Sequence, residues 1–179
     1  MNKSLEVAVF GGGCFWCTEA VFSELKGVLS VMPGYAGGTV QRPTYEQVCS
    51  GSTGHAEVIR VEYDSAQIAY KDLLNVFFAT HNPTTVNRQG NDVGAQYRSA
   101  VYYITPEQAA VAKQYIVELD KAGTFDAPLV TEVQPLKNFF EAEAYHREYY
   151  KRNVAEGYCQ VVISPKVAKF RAQYAHLLK

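Results

Sequence analysis

The chain has 179 residues, 47% of them hydrophobic and 20% charged, with a formal net charge of −1. This is the profile of a folded globular protein long enough for one sizeable core, and it excludes a disordered or fibrous chain. Lys and Arg are scattered, and no apolar run approaches the ~20 residues of a membrane span, so neither nucleic acid nor a membrane is an expected partner.

The first predicted element is a strand, Leu5–Phe10, which alternates and is rich in β-formers. Glu6 interrupts any apolar leader, so a cytoplasmic protein is expected. The strand feeds Gly11-Gly12-Gly13. A helix follows from Cys14, with Cys14, Cys17, Val21, Phe22 and Leu25 at helical spacing before Gly27. Val28–Met32 reads as a second strand ended by Pro33-Gly34 and Gly37-Gly38; after a short helix comes the clearest strand, His55–Tyr63. Helices are predicted at Tyr70–Thr80, Pro106–Ala122, Phe139–Val154 and Val167–Leu178, with Thr105 capping the second and Pro106 at its first position. Further strands are predicted at Ser99–Ile104, Leu129–Val133 and Gln160–Ile163. The aperiodic stretch His81–Tyr97 has the length of a functional loop. This mixed order, with no linker or repeat, predicts one α+β domain over residues 1–179, a two-layer sandwich around a mixed sheet.

Chemistry concentrates at Cys14. A thiol is nucleophilic only as thiolate, and a glycine-rich helix entry offers unpaired N–H groups to an anion while keeping side chains out of the approach. The bland alternative is a buried core cysteine; the position favours an exposed, reactive one. Cys17 completes a Cys-x-x-Cys spacing and is either a resolving thiol or a core residue on the stripe of Val21. Cys49 and Cys159 bring no second such pair and no paired His, so neither a metal nor a cofactor is expected, and Cys49 reads as structural. With a full core and no export signal, the four cysteines are expected to be free. Glu57 shares its predicted strand face with Ile59, Val61 and Tyr63. Either it is buried, which raises its pKa and leaves a proton to donate, or it reaches water from the strand end. Tyr45, Asp92 and Tyr97 lie in aperiodic segments, where a phenol can donate to a ligand oxygen while its ring lines an apolar pocket.

Several runs in order along nearly the whole chain resemble the A-type peptide methionine sulfoxide reductases. They are Gly13-Cys14-Phe15-Trp16, Gly34-Tyr35-Ala36-Gly37-Gly38, Gly51-Ser52-Thr53-Gly54-His55-Ala56-Glu57, and the stretch from His81 through Asn87-Arg88-Gln89-Gly90-Asn91-Asp92 to Gln96-Tyr97-Arg98-Ser99. Ala142-Glu143-Ala144-Tyr145-His146 and Gly157-Tyr158-Cys159 extend the match. The resemblance implies a two-layer sandwich around a split β-α-β, ferredoxin-like core. It implies Cys14 as the nucleophile that attacks the sulfur of methionine-S-sulfoxide, free or in proteins. Phe15 and Trp16 would form the pocket for the S-methyl group. Glu57 would protonate the sulfoxide oxygen, Tyr45 and Tyr97 would bind it, and Asp92 matches an acid at the site.

The same resemblance implies a sulfenic acid on Cys14, then a disulfide reopened by thioredoxin, in a protein expected to be a monomer. Cys159 matches the recycling cysteine that many relatives carry in a glycine-rich tail. Here it runs straight into Gln160-Val161-Val162-Ile163, and Cys17 stands as the competing resolving thiol. The alternative function is a general thiol–disulfide oxidoreductase or redox-sensing module using Cys14 and Cys17, which leaves Glu57 and the tyrosines without a task.

Overall fold

A computed structural model describes residues 5–179. In chain order the elements are β1 (Leu5–Gly12), α1 (Phe15–Phe22), β2 (Val28–Ala36), α2 (Tyr45–Cys49), β3 (Ala56–Asp64), α3 (Tyr70–Ala79), β4 (Arg88–Gln89), β5 (Asp92–Val93), β6 (Ser99–Tyr103), α4 (Pro106–Ala122), β7 (Glu132–Pro135), β8 (Phe140–Glu141), α5 (Tyr149–Arg152) and α6 (Ser164–Gln173). Between them lie 3-10 turns at Ala95–Tyr97, Ala144–His146 and Ala175–Leu177 and a π-helical turn at Cys159–Ile163.

The main sheet has the order β7-β6-β1-β3-β2-β8, and β4 and β5 pair separately. β3 is antiparallel to both β1 and β2, so β1 and β2 run parallel with β3 inserted between them. In the same way β1 lies between the parallel pair β3 and β6. These two interleaved β-α-β units, through α1 and α3, are the split β-α-β arrangement. α4 then adds β7 parallel to β6, and β8 closes the other edge against β2.

Alternation along the strands sends Ala8, Phe10, Ile59, Val61 and Tyr63 to one face, where they meet Phe22 of α1, Leu73 and Phe77 of α3 and Phe170 of α6. Val9, Val58, Ala100 and Tyr102 face the other way, covered chiefly by Leu136 and Phe139. Each large buried side chain contributes about 1.5–3 kcal/mol. The helix-covered face therefore dominates the stability, and it is the face on which Cys14, Cys17 and Cys159 sit.

α4 has the predicted bounds, with Thr105 Oγ1 accepting the Gln108 N–H at 3.2 Å. Four expectations are corrected. β2 runs through Pro33 to Ala36, because Pro33 turns its carbonyl, and with it its nitrogen, away from β3 toward the β8 side, where Ala142 N–H donates at 2.9 Å. β7 lies three residues later than Leu129–Val133 at its start. The predicted helix Phe139–Val154 is mostly absent: Phe140 and Glu141 pair with Tyr35 and Gly34 instead, and Glu148, at φ +52°, confines helix to α5. A Cβ on Gly34 would come within 2.4 Å of Phe139, so only glycine admits this close approach. Gln160–Ile163 is not a strand but part of the π-helical turn leading into α6. The buried residues Cys159, Ile163, Val167 and Phe170 fall at helical spacing, which outweighs the β-branched composition.

Candidate active site

Gly13 has φ +92°, a left-handed conformation, and a Cβ there would lie 2.7 Å from Gln89 Cγ. It turns the end of β1 into α1, making Cys14 the N-cap residue, whose carbonyl accepts the Cys17 N–H at 3.0 Å. Cys14 is only 7% exposed. Burial first, then the hydrogen bond to Cys17 and the charge of Glu57, push its thiol well above its ordinary range, while the Trp16 N–H works the other way. Cys17 is also buried, yet it is held below its ordinary value. The Cys14 thiol donates to it, and Lys166 and the Tyr158 hydroxyl reinforce this against burial. The expectation of an exposed, anionic Cys14 is thus corrected. The two thiols titrate as a unit, with Cys14 the more firmly protonated and Cys17 the more readily ionised.

β3 carries Glu57 into the interior, where it is 1% exposed. Of the two sequence readings, burial holds, because β2 pairs across Glu57 at Tyr35 and α1 closes over it. Its Oε1 accepts the Phe15 N–H at 3.1 Å, while Oε2 is buried with no hydrogen-bond partner. Burial pushes this carboxyl up to about 8, reinforced by the charges of Asp92 and Cys17 and opposed by the Phe15 N–H. At neutral pH it is therefore largely protonated. Since Oε1 is taken as an acceptor, the proton belongs on Oε2. Tyr45, at the start of α2, and Tyr97, ending a 3-10 turn, both lie within the field of Glu57, and Tyr97 also within that of Asp92 and Cys14. Burial raises both phenols, so both keep their protons and can donate.

The rings form a wall. Phe15 lies 6.3 Å from Tyr45 between centroids, and Trp16 stacks flat on Tyr149 at 3.8 Å and 10°. Trp16 Nε1–H donates to His146 Nδ1 at 2.9 Å, so the ring proton of neutral His146 sits on Nε2. Glu143 accepts both the Tyr35 hydroxyl (2.8 Å) and the Tyr45 N–H (2.9 Å), tying α2 to the C-terminal segment. Asp92 accepts the Tyr158 hydroxyl at 2.7 Å.

A family model described as peptide methionine sulfoxide reductase matches residues 6–178. The chain belongs to the peptide methionine sulfoxide reductase family. It is an oxidoreductase, the enzyme type of that family. It is 58% identical over 182 residues to the peptide methionine sulfoxide reductase MsrA of Ralstonia nicotianae, covering 99% of this chain and 95% of the relative. Methionine sulfoxide reductase A of Corynebacterium diphtheriae superposes with a TM-score of 0.78 at 36% identity, covering 89% of this chain and 79% of that one. Reduced Mxr1 from Saccharomyces cerevisiae gives a TM-score of 0.80 at 30% identity over 87% of this chain and 90% of its own. Mxr1 in complex with Trx2 shares the fold at 21% identity, with a TM-score of 0.57 over 83% of this chain and 87% of that one.

In this reductase Cys14, Phe15, Trp16, Tyr45, Glu57, Asp92 and Tyr97 come together around one site. Cys159 is fully buried in the π-helical turn, and the charge of Cys17 reaches it. Cys49, read as structural, is exposed at the end of α2. The cysteines are free. Among the described residues no group of three or more His, Cys, Asp or Glu could hold a metal ion, and no helix is long and apolar enough to cross a membrane. Sequence reasoning missed Glu19, a buried acid on α1, and Tyr149. Glu19 was legible as the one charged residue on a helix that is otherwise apolar on most sides; Tyr149 carried no such signal.

Proposed function

We propose that this chain reduces methionine-S-sulfoxide, free or in proteins, with Cys14 as nucleophile and Glu57 as proton donor. The observation that carries the reading is the setting of Glu57: a buried carboxyl with one oxygen anchored by the Phe15 N–H and the other unpartnered. A sulfoxide is polarised S⁺–O⁻, and its sulfur becomes electrophilic once the oxygen takes a proton. Glu57 Oε2 supplies that proton as the Cys14 sulfur attacks, and the Cys14 proton passes to Cys17. Tyr45 and Tyr97 donate to the oxygen as its geometry changes during attack, a stabilisation strongest in the transition state. Phe15 and Trp16 hold the S-methyl group. The attack joins Cys14 to the hydroxylated substrate sulfur; the hydroxyl then moves to Cys14 as the S–O bond and the new S–S bond both break, so methionine departs and Cys14 is left as sulfenic acid. Asp92 braces the wall through Tyr158.

Cys17, hydrogen-bonded to Cys14, is the thiol best set to attack the sulfenic sulfur. That step forms the Cys14–Cys17 disulfide and releases water. Cys159 then exchanges with it, passing the disulfide to the π-helical turn. We assign the final reduction to a thioredoxin, as fits a fold that meets Trx2 in the Mxr1 complex. The chain acts as one catalytic domain and a monomer, in a cytoplasm where its thiols stay reduced. General thiol–disulfide exchange is the weaker reading, since it leaves the buried, half-unpartnered carboxyl of Glu57 and the phenols of Tyr45 and Tyr97 without a task.

The test is a single turnover with a methionine sulfoxide compound, with and without dithiothreitol, followed by mass mapping of the oxidised protein. Stoichiometric reduction lost in Cys14→Ser, with a disulfide in the wild type that joins Cys17 to Cys14 or, after exchange, to Cys159, is expected. Retention of reduction by Cys14→Ser would contradict the assignment.

A further inference from the structure

Glu19 is the one buried carboxyl near the site that the reaction above does not use. It lies on α1, one residue past Thr18 and two past Cys17, and is 3% exposed. Its Oε2 accepts the Glu148 N–H at 2.9 Å, and the Tyr149 N–H faces the same carboxyl. Glu148 itself is held at φ +52°, a left-handed conformation that costs a non-glycine residue free energy unless surrounding contacts impose it. The next residue, Tyr149, is the ring that lies flat on Trp16 at 3.8 Å. A continuous physical path therefore runs from Glu19 through the Glu148–Tyr149 backbone to the indole face.

We propose that Glu19 is a positioning residue for the substrate pocket: its carboxyl group clamps the strained Glu148–Tyr149 backbone and so holds Tyr149 against Trp16, which fixes the orientation of the indole. Two further observations agree. Trp16 has a second restraint on its edge, the His146 bond, but on its face the stack with Tyr149 is the closest ring contact it makes. And the exposed pairs around α5, such as Lys151 with Glu148 at 3.6 Å, are too solvated to set a backbone conformation by themselves. The buried carboxyl is not: desolvation makes an unmatched N–H there expensive, so the clamp acts through partners that have no alternative. Glu19 touches neither Cys14 nor Glu57 by any hydrogen bond in the structure, so its influence belongs to substrate binding rather than to proton transfer.

The inference rests on the reading of Trp16 as a pocket wall, and the experiment separates the two. Trp16 is the one tryptophan in the chain, so intrinsic fluorescence reports on this ring alone. Glu19→Gln keeps size and one acceptor oxygen but replaces the other with an NH2, which cannot accept from the Glu148 or Tyr149 N–H. It is expected to change the Trp16 emission and to raise KM for a methionine sulfoxide compound about three- to tenfold, a loss on the scale of one buried hydrogen bond. kcat should stay within about twofold, because the reacting groups are untouched. Tyr149→Leu should reproduce the KM change, and the double variant should add nothing to it, since both act through one contact. Melting temperatures identify any variant that fails to fold, and Glu148→Gly, which relieves the left-handed strain while leaving the N–H in place, should retain wild-type emission and KM. If Trp16→Leu raises KM while Glu19→Gln does not, or if Glu19→Gln and Tyr149→Leu effects simply add, the clamp is overturned and the pocket reading survives. If Trp16→Leu leaves KM unchanged, the pocket reading falls and the clamp with it.

Discussion

Cys14 and Glu57 sit on the β1–α1 junction and on β3, elements fixed by strand register on both sides, whereas His146, Tyr149 and Cys159 sit on a stretch assembled from a two-residue strand, a 3-10 turn, a four-residue helix and a π-helical turn. The first region is held by backbone ladders and core packing. The second is held by side chains that reach across: Glu143 to Tyr35 and Tyr45, His146 to Trp16, Glu19 to Glu148. The difference teaches that the reacting atoms are placed by the sheet, while the pocket wall and the recycling thiol are hung on it by a few polar contacts. Changes in the first region should stop chemistry; changes in the second should loosen binding or recycling while leaving one turnover possible.

The largest effect belongs to Cys14→Ser, which should abolish sulfoxide reduction even as a single turnover, measured by methionine release. Next is Glu57→Gln, which keeps the Phe15 anchor but has no acidic proton; the single-turnover rate should fall about 10²–10⁴-fold. The same variant should change stability in the opposite sense. Glu57 titrates at about 8 when folded against 4.5 as its ordinary value. The folded state therefore binds the extra proton, and stability falls as pH rises between those two values, by about 1.4 kcal/mol per pH unit. Glu57→Gln should lack this slope and melt higher than wild type at mildly alkaline pH, by calorimetry across that window.

On α1, beside the nucleophile, Cys17→Ser should retain one turnover per protein, slowed by loss of the acceptor for the Cys14 proton, but lose steady-state recycling with dithiothreitol by tenfold or more, an order-of-magnitude expectation from removing the nearest resolving thiol. Loss of the first turnover in that variant would shift weight to Cys17 as an obligatory proton acceptor. The smallest effect is expected for Tyr35→Phe, which removes one of two donors to Glu143. It should cost about 1 kcal/mol of stability and change KM only slightly, because the Tyr45 N–H still holds the carboxylate.

How legible this was in the sequence follows the same division. The bounds of α4, the places of β1, β3 and β6 and the glycine turn into α1 were readable because periodicity and capping chemistry act locally. Glu57 was readable to the point of two alternatives: alternation gives its face, but only β2 pairing at Tyr35 decides that the strand end is covered. The stretch after Phe139 was not readable as it is. Its helical composition loses to tertiary pairing at the β2 edge and to the left-handed Glu148, neither of which leaves a periodic signal. The proton balance between Cys14 and Cys17 was likewise out of reach, since it depends on Lys166 and Tyr158 arriving from the far end of the chain.

The central claim is that Glu57 is a protonated acid beside the reactive sulfur at neutral pH, and infrared difference spectroscopy of wild type against Glu57→Gln measures it most directly. A protonated-carboxyl C=O band present in the wild type, absent in the variant and fading as pH rises through about 8 is the result expected. A Glu57 carboxyl already ionised at neutral pH, with no such band to lose, would contradict the account.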